Sequence, residues 1–167
     1  MSAWRHPLIA RVLAIALGLV FVYASHDKIW KRVQQKQGQP LPTAVSGPAE
    51  FARVIYRYQV LGPNATLPPQ VPNLLAVTLP WIELVAGLLL IVGVWRREAA
   101  LLCGLLLLTF IPAVASTLWR GIDIQNCGCF SLAGEGRRAG LGLIAADAAM
   151  FAAALFVAGV RPQRSRP

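Results

Sequence analysis

The chain has 167 residues, of which 56% are hydrophobic and 14% are charged, and its formal net charge is +9. This composition is too apolar for an ordinary soluble domain, and it favours one membrane domain that takes in the whole chain, residues 1–167. The basic residues lie at the ends of apolar runs and not on one polar face, so the charge does not indicate nucleic-acid binding.

Four apolar runs are each long enough to cross the hydrocarbon core of a bilayer, which takes about 20 helical residues. No alternating pattern of a β-barrel appears, and backbone hydrogen bonding in lipid then leaves helices. The sequence therefore predicts an all-α fold, an integral membrane four-helix bundle in contact with membrane lipid. The predicted spans are residues 8–25, 71–94, 98–118 and 139–160. Ala14 and Gly18, and likewise Ala145 and Ala149, have the spacing of close helix contacts.

Lys and Arg are denser in the N-terminal tail, the second loop and the C-terminal tail than in the first and third loops. By the positive-inside rule, this predicts a bacterial inner-membrane protein with both termini in the cytoplasm and with the first and third loops in the periplasm. The alternative is a cleaved signal peptide, because Arg5 precedes an apolar stretch that ends at Ala24. Cleavage would leave three helices and put the termini on opposite sides.

The first external loop divides into two parts. Residues 34–47 are polar and contain Gly and Pro, which predicts a flexible connector. The stretch after Pro48 predicts a short amphipathic surface helix over about 48–60, which rests on the membrane surface or on top of the bundle. Its apolar positions, spaced i, i+3, i+4 and i+7, are Phe51, Val54, Ile55 and Tyr58, with Arg53 and Arg57 on the opposite side.

A cluster of ionisable residues follows the first predicted span, in the sequence "SHDK" from Ser25 to Lys28. One interpretation is that His26, Asp27 and Lys28 relay protons or lower the pKa of a nearby thiol, since cationic neighbours favour the thiolate. The other interpretation is a solvated helix end in which the carboxylate balances the lysine.

Two acidic residues, Glu83 and Asp147, lie within predicted spans. A charge inside a membrane is costly, so both are predicted to face the bundle interior and to have partners that the sequence does not assign. Trp81 is predicted to face the interior as well, where Trp81 and Glu83 would hold a quinone if the protein binds one. No cofactor is otherwise evident.

Two of the three cysteines, Cys127 and Cys129, are one residue apart in "QNCGCFS" and lie in the third loop. In an oxidising compartment two such thiols tend to form a disulfide, and Gly128 permits the turn between them. A ring that small is strained, and strained, exposed disulfides are easily reduced. The pair is therefore a candidate redox centre. Roughly 22 Å of helix separates Cys103 from Leu118 at the outer end of its span, which is too far for a disulfide with Cys127 or Cys129. Cys103 is therefore interpreted as a buried apolar residue.

Other interpretations of the cysteine pair are a fixed local disulfide, an acylation site and a metal site. Zinc takes about four ligands, and the loop offers two thiolates with only Asp123 or the distant His26 to help. No metal is therefore expected.

Several segments together resemble a known family of membrane proteins. They are "VFVYASHDKI", "FARVIYRYQVL", "NLLAVTLPWIELVAGLLLIVGVWRREAA" and "GIDIQNCGCF". In this order they resemble the MauE family of methylamine utilisation, which is related to DoxX-like four-helix proteins. The likeness runs from about Leu8 to Phe156, and the connector over 31–47 is longer than expected for the family.

The resemblance implies an accessory protein for periplasmic disulfide chemistry that works with a thioredoxin-like partner in the maturation of methylamine dehydrogenase. It implies a redox role for Cys127 and Cys129, and it marks Lys28, Glu83 and Gly87 as recurrent positions. Thiol-disulfide oxidoreductase activity is then the expected chemistry. The alternatives are a quinone-linked enzyme that generates disulfides and a non-catalytic membrane subunit or scaffold.

Overall fold

The computed structural model describes residues 5–30, 33–34, 44–45, 47–58, 68, 70–121 and 140–160. Its elements in chain order are α1 (Arg5–Trp30), β1 (Val33–Gln34), β2 (Ala44–Val45), α2 (Gly47–Tyr58), α3 (Gln70–Val92), α4 (Arg96–Trp119) and α5 (Leu141–Gly159). The predicted all-α fold is confirmed. The two short strands were not predicted; they pair antiparallel at the two ends of the connector, with Val33 opposite Val45.

Four helices, α1, α3, α4 and α5, are long and apolar enough to cross a membrane. Many of their large apolar side chains point outward; Leu8 is 66% and Leu74 is 65% exposed. An outer surface of this kind is stable when lipid covers it. The chain is therefore a multi-pass membrane protein, and three of its four spans have nearly the predicted bounds.

The helices run so that consecutive spans are antiparallel. α1 packs along α3, and α4 packs along α5. At one end of the bundle, Nη2 of Arg96 donates a hydrogen bond to the Val160 carbonyl oxygen at 3.3 Å, and the Arg11 guanidinium lies beside Gly93. The start of α1 and the end of α5 therefore share this end of the bundle.

The opposite end is covered by α2 and is called the α2 end below. It holds the C-terminal ends of α1 and α4 and the N-terminal ends of α3 and α5. The predicted amphipathic helix is confirmed, and it lies on the bundle, because Phe51 is only 1% exposed. The buried cluster beneath it consists of Phe51, Ala52, Ala76, Val114 and Leu143.

Two glycines let α1 and α3 approach each other closely. A Cβ atom at Gly18 would lie 2.6 Å from the Gly87 carbonyl oxygen, and a Cβ atom at Gly87 would lie 2.8 Å from the Gly18 carbonyl oxygen. Real Cβ atoms do not come so close to a backbone oxygen, so a side chain at either position would push the helices apart. The close contact predicted at Gly18 is confirmed, and Gly87 is its partner.

The contact surface of α5 differs from the predicted one. Ala145 and Ala149 are exposed, so the prediction that they make the close helix contact is wrong. The buried side of α5 instead carries Leu143, Asp147 and Ala154.

Candidate functional site

An ion pair joins α1 to α3 near the α2 end. Nζ of Lys28 donates hydrogen bonds to both carboxylate oxygens of Glu83, at 2.8 Å to Oε1 and 2.7 Å to Oε2. The two side chains are only 1% and 3% exposed. A buried charge is tolerated when a close, hydrogen-bonded partner balances it. The prediction that Glu83 faces the interior with a partner is confirmed, and that partner is Lys28.

The ion pair explains why α1 is longer than predicted. Because Glu83 balances the Lys28 ammonium inside the bundle, the helix continues through the polar segment to Trp30 instead of ending at Ser25. Lys28 and Ser25 are both 0% exposed, and the Ser25 Oγ donates to the Phe21 carbonyl oxygen at 2.6 Å. The interpretation of this segment as a solvated helix end is therefore wrong for Lys28.

The other two ionisable residues of the segment, His26 and Asp27, lie on the same helix. His26 is exposed on α1, and its ring lies 5.5 Å from the ring of Trp30. Asp27 belongs to α1, but its side chain lies outside the described residues. The predicted supporting roles of His26 and Asp27 stay predictions.

Two aromatic rings enclose the lysine ammonium. Nζ of Lys28 lies 4.8 Å from the ring centroid of Phe51 on α2 and 5.6 Å from that of Phe110 on α4. Such cation–π contacts contribute about 0.5–2 kcal/mol, with the larger values where water is excluded. The surface helix α2 thus covers the ion pair, and side chains from four helices meet at this one ammonium group.

A small cavity lies beside the ion pair, deeper in the bundle. Its volume is about 20 Å³, and both Glu83 and Asp147 line it. Asp147 is 1% exposed, which confirms that it faces the interior. Its Oδ2 atom has no hydrogen-bond partner among the described residues.

Trp81 does not belong to this site. Its side chain is 50% exposed, and its ring contacts the ring of Trp30 edge-on, with 6.2 Å between centroids. The prediction that Trp81 faces the bundle interior is wrong. Trp81 and Glu83 are two residues apart on one helix, so they point about 200° apart and cannot both face inward.

The space beside Glu83 is too small for a quinone head group. The cavity of about 20 Å³ next to Glu83 has room for one water molecule but not for a ring-sized head group. A larger groove of about 410 Å³ lies between α2, α3 and α4 and is almost entirely apolar. Among the described residues that line it, the one side-chain hydroxyl belongs to Thr109 and already donates to the Leu106 carbonyl oxygen. The described lining fits a hydrocarbon chain but offers no free hydrogen-bond donor to a quinone head group.

The cysteines fall into two classes. Cys103 is 0% exposed in the core between α4 and its neighbours, which confirms its interpretation as a buried apolar residue. Cys127 and Cys129 lie outside the described residues, in the segment that joins α4 to α5. Within the described parts of the chain, no group of three His, Cys, Asp or Glu side chains is arranged to hold a metal ion.

The sequence did not predict the two aromatic side chains at Lys28 or the cavity that Asp147 and Glu83 both line. Phe51 carried a usable signal, since it opens the apolar side of the amphipathic helix. Phe110 carried none, because it is one of many apolar residues in its span.

The family model of methylamine utilisation protein MauE matches residues 6–160. The match includes all four membrane-crossing helices, the ion pair and the segment with the paired cysteines. No curated protein and no solved structure matches the chain significantly. Because the family match covers nearly the whole sequence, the chain belongs to the MauE family of methylamine utilisation proteins.

Proposed function

We propose that this accessory membrane protein of methylamine utilisation exchanges disulfides through Cys127 and Cys129 with a periplasmic thioredoxin-like protein. One cysteine forms a mixed disulfide with the partner, and the other resolves it. Each exchange breaks one disulfide and forms another, so two electrons and two protons pass between the two proteins. The resemblance to the family implies that the client is the disulfide-rich small subunit of methylamine dehydrogenase.

The observation that carries the proposal is family membership together with two thiols in one short segment of the chain. That segment starts after α4 and ends before α5, and both of those helix ends lie at the α2 end. In the proposed orientation the α2 end faces the periplasm, where thiol pairs oxidise and thioredoxin-like proteins are available. Both chain termini then lie in the cytoplasm, on the other side of the inner membrane.

The geometry of the ion pair supports a division of roles. The Lys28 ammonium donates hydrogen bonds to both carboxylate oxygens of Glu83 and lies beneath the ring of Phe51. A group held in this way joins α1 to α3 near the α2 end and is not available as a base for a thiol. Lys28 and Glu83 are therefore positioning residues in this proposal, whereas Cys127 and Cys129 do the chemistry.

Two other functions remain as alternatives. A quinone-linked enzyme that generates disulfides needs a head-group site, and neither the small cavity nor the apolar groove provides one among the described residues. A non-catalytic scaffold would keep Cys127 and Cys129 as a fixed disulfide, and redox trapping separates it from the proposed exchanger.

The test is the redox state of the pair in membranes that have been quenched with acid and alkylated. A Cys103→Ala background leaves Cys127 and Cys129 as the two remaining thiols of the chain. An exchanging pair shows both reduced and oxidised forms, and their ratio shifts when the thioredoxin-like partner is deleted. A pair that stays fully oxidised with and without the partner indicates the scaffold.

A further inference from the structure

Two carboxyl groups from different helices line one small cavity. Glu83 of α3 and Asp147 of α5 are 2% and 1% exposed, and the cavity between them has a volume of about 20 Å³. The other lining residues are all apolar, and they are Val20, Phe21, Ala24, Leu107, Phe110 and Met150.

Among the described residues, the two carboxyl groups have one positive charge between them, that of Lys28. Lys28 donates to both oxygens of Glu83, and α1 and α4 otherwise present only apolar side chains to the cavity. Cys103, the other ionisable group of the neighbouring core, does not line it. An ionised Asp147 would add an unbalanced negative charge to apolar surroundings, which costs far more than a neutral carboxylic acid does.

The cavity has the size and the partners that a single water molecule needs. About 10–15 Å³ of such space accommodates one water, which must also find two or more polar partners. The Oδ2 atom of Asp147 is buried and lacks a hydrogen-bond partner within the described residues. The carboxylate of Glu83 supplies a second polar group on the same cavity wall.

We propose that one water molecule occupies this cavity and links Asp147 to Glu83, and that Asp147 carries a proton there. The Asp147 hydroxyl donates to the water, and the water donates to Glu83. Lys28, Glu83, the water and Asp147 then form a neutral cluster in which Asp147 keeps one carboxylic-acid proton inside the membrane. This cluster is independent of the proposed thiol exchange and survives if that proposal fails.

The test is solid-state NMR of the full-length protein in lipid bilayers at neutral pH, with isotope-labelled aspartate side-chain carboxyl carbons. The chain has three aspartates, Asp27, Asp123 and Asp147. One carboxyl signal is expected at the chemical shift of a protonated acid. It disappears in Asp147→Asn and persists in the matched control Asp27→Asn. Three ionised signals in the wild type would overturn the proposal, even if no variant folds.

The same sample tests the water. Magnetisation transfer from water protons to the protonated carboxyl carbon is expected, because the water lies within hydrogen-bond distance of Asp147. A protonated signal without such transfer overturns the water site.

Thermal stability gives an independent readout: Asp147→Asn should melt close to the wild type and Glu83→Gln well below it. Equal losses in the two variants would contradict the proposal, because replacing a protonated carboxyl group by an amide removes no charge.

Discussion

Lys28 is the residue on which the elements of the α2 end converge. It belongs to α1, bonds to Glu83 of α3, and lies between the rings of Phe51 on α2 and Phe110 on α4. Removing the Lys28 ammonium would leave the Glu83 carboxylate buried without a counter-charge. Removing the carboxylate would likewise leave the ammonium buried without a counter-charge. The two side chains therefore act as a unit in stability.

A double-mutant cycle measures this coupling. Lys28→Met and Glu83→Leu should each lower the free energy of unfolding by about 3–5 kcal/mol, because each leaves one unbalanced buried charge. The double variant, with both charges gone, should recover most of that loss. Reversible unfolding in mixed micelles or bilayers gives the three values. Losses that simply add in the double variant would contradict the coupling.

Part of this site could be predicted from the sequence. The cost of a charge in the membrane correctly predicts that Glu83 and Asp147 face inward. It does not select Lys28 as the partner of Glu83, because the two are 55 residues apart and the pairing depends on how α1 packs on α3. Trp81 was misplaced because a position within a span gives depth but not the face of the helix.

Among the elements, α1 and α3 depend on two residues that have no side chain. The Gly18 and Gly87 carbonyl oxygens occupy the space that a Cβ atom on the opposite helix would take. This close approach sets the distance between the two helices and allows the Lys28 ammonium to reach Glu83. Helix propensity alone would favour alanine at both positions, so packing decides.

Alanine substitutions distinguish packing from propensity. Gly18→Ala and Gly87→Ala should each lower the free energy of unfolding by about 1–3 kcal/mol, the usual cost of overpacking. The matched control is Gly104→Ala in α4, whose Cβ would meet Ala154 and Phe151 at an ordinary 3.7 Å. Thermal melts of the three variants suffice. If Gly104→Ala lowers the stability as much as the other two substitutions do, separation of α1 from α3 is not the cause of the loss.

The spans themselves were predictable because hydropathy over about 20 residues reports membrane crossing directly. The end of α1 could not be predicted in this way, because the polar segment "SHDK" is typical of a helix end. Only the packed structure shows that Glu83 neutralises its lysine. The amphipathic spacing of Phe51 and Ile55 likewise predicted α2. Its place over the Lys28 ammonium became visible only in the packed bundle.

At the scale of the whole molecule, the antiparallel order of the spans separates two ends. One end holds the start of α1 and the start of α4, where Arg96 donates a hydrogen bond to the Val160 carbonyl oxygen at the end of α5. The other holds α2, the ion pair and the helix ends that flank the segment with Cys127 and Cys129. Cys103 is buried in the core. We propose that the paired cysteines in this segment exchange a disulfide with a soluble partner.

Mixed-disulfide trapping with single-cysteine variants tests this claim most directly. In a Cys103→Ala background, one of Cys127→Ser and Cys129→Ser removes the resolving thiol and should accumulate a covalent complex with the thioredoxin-like partner. Non-reducing electrophoresis of acid-quenched, alkylated membranes reveals it, and a reductant should release both proteins. If neither variant forms such a complex while the partner is present and the variants are folded, the account of disulfide exchange is contradicted.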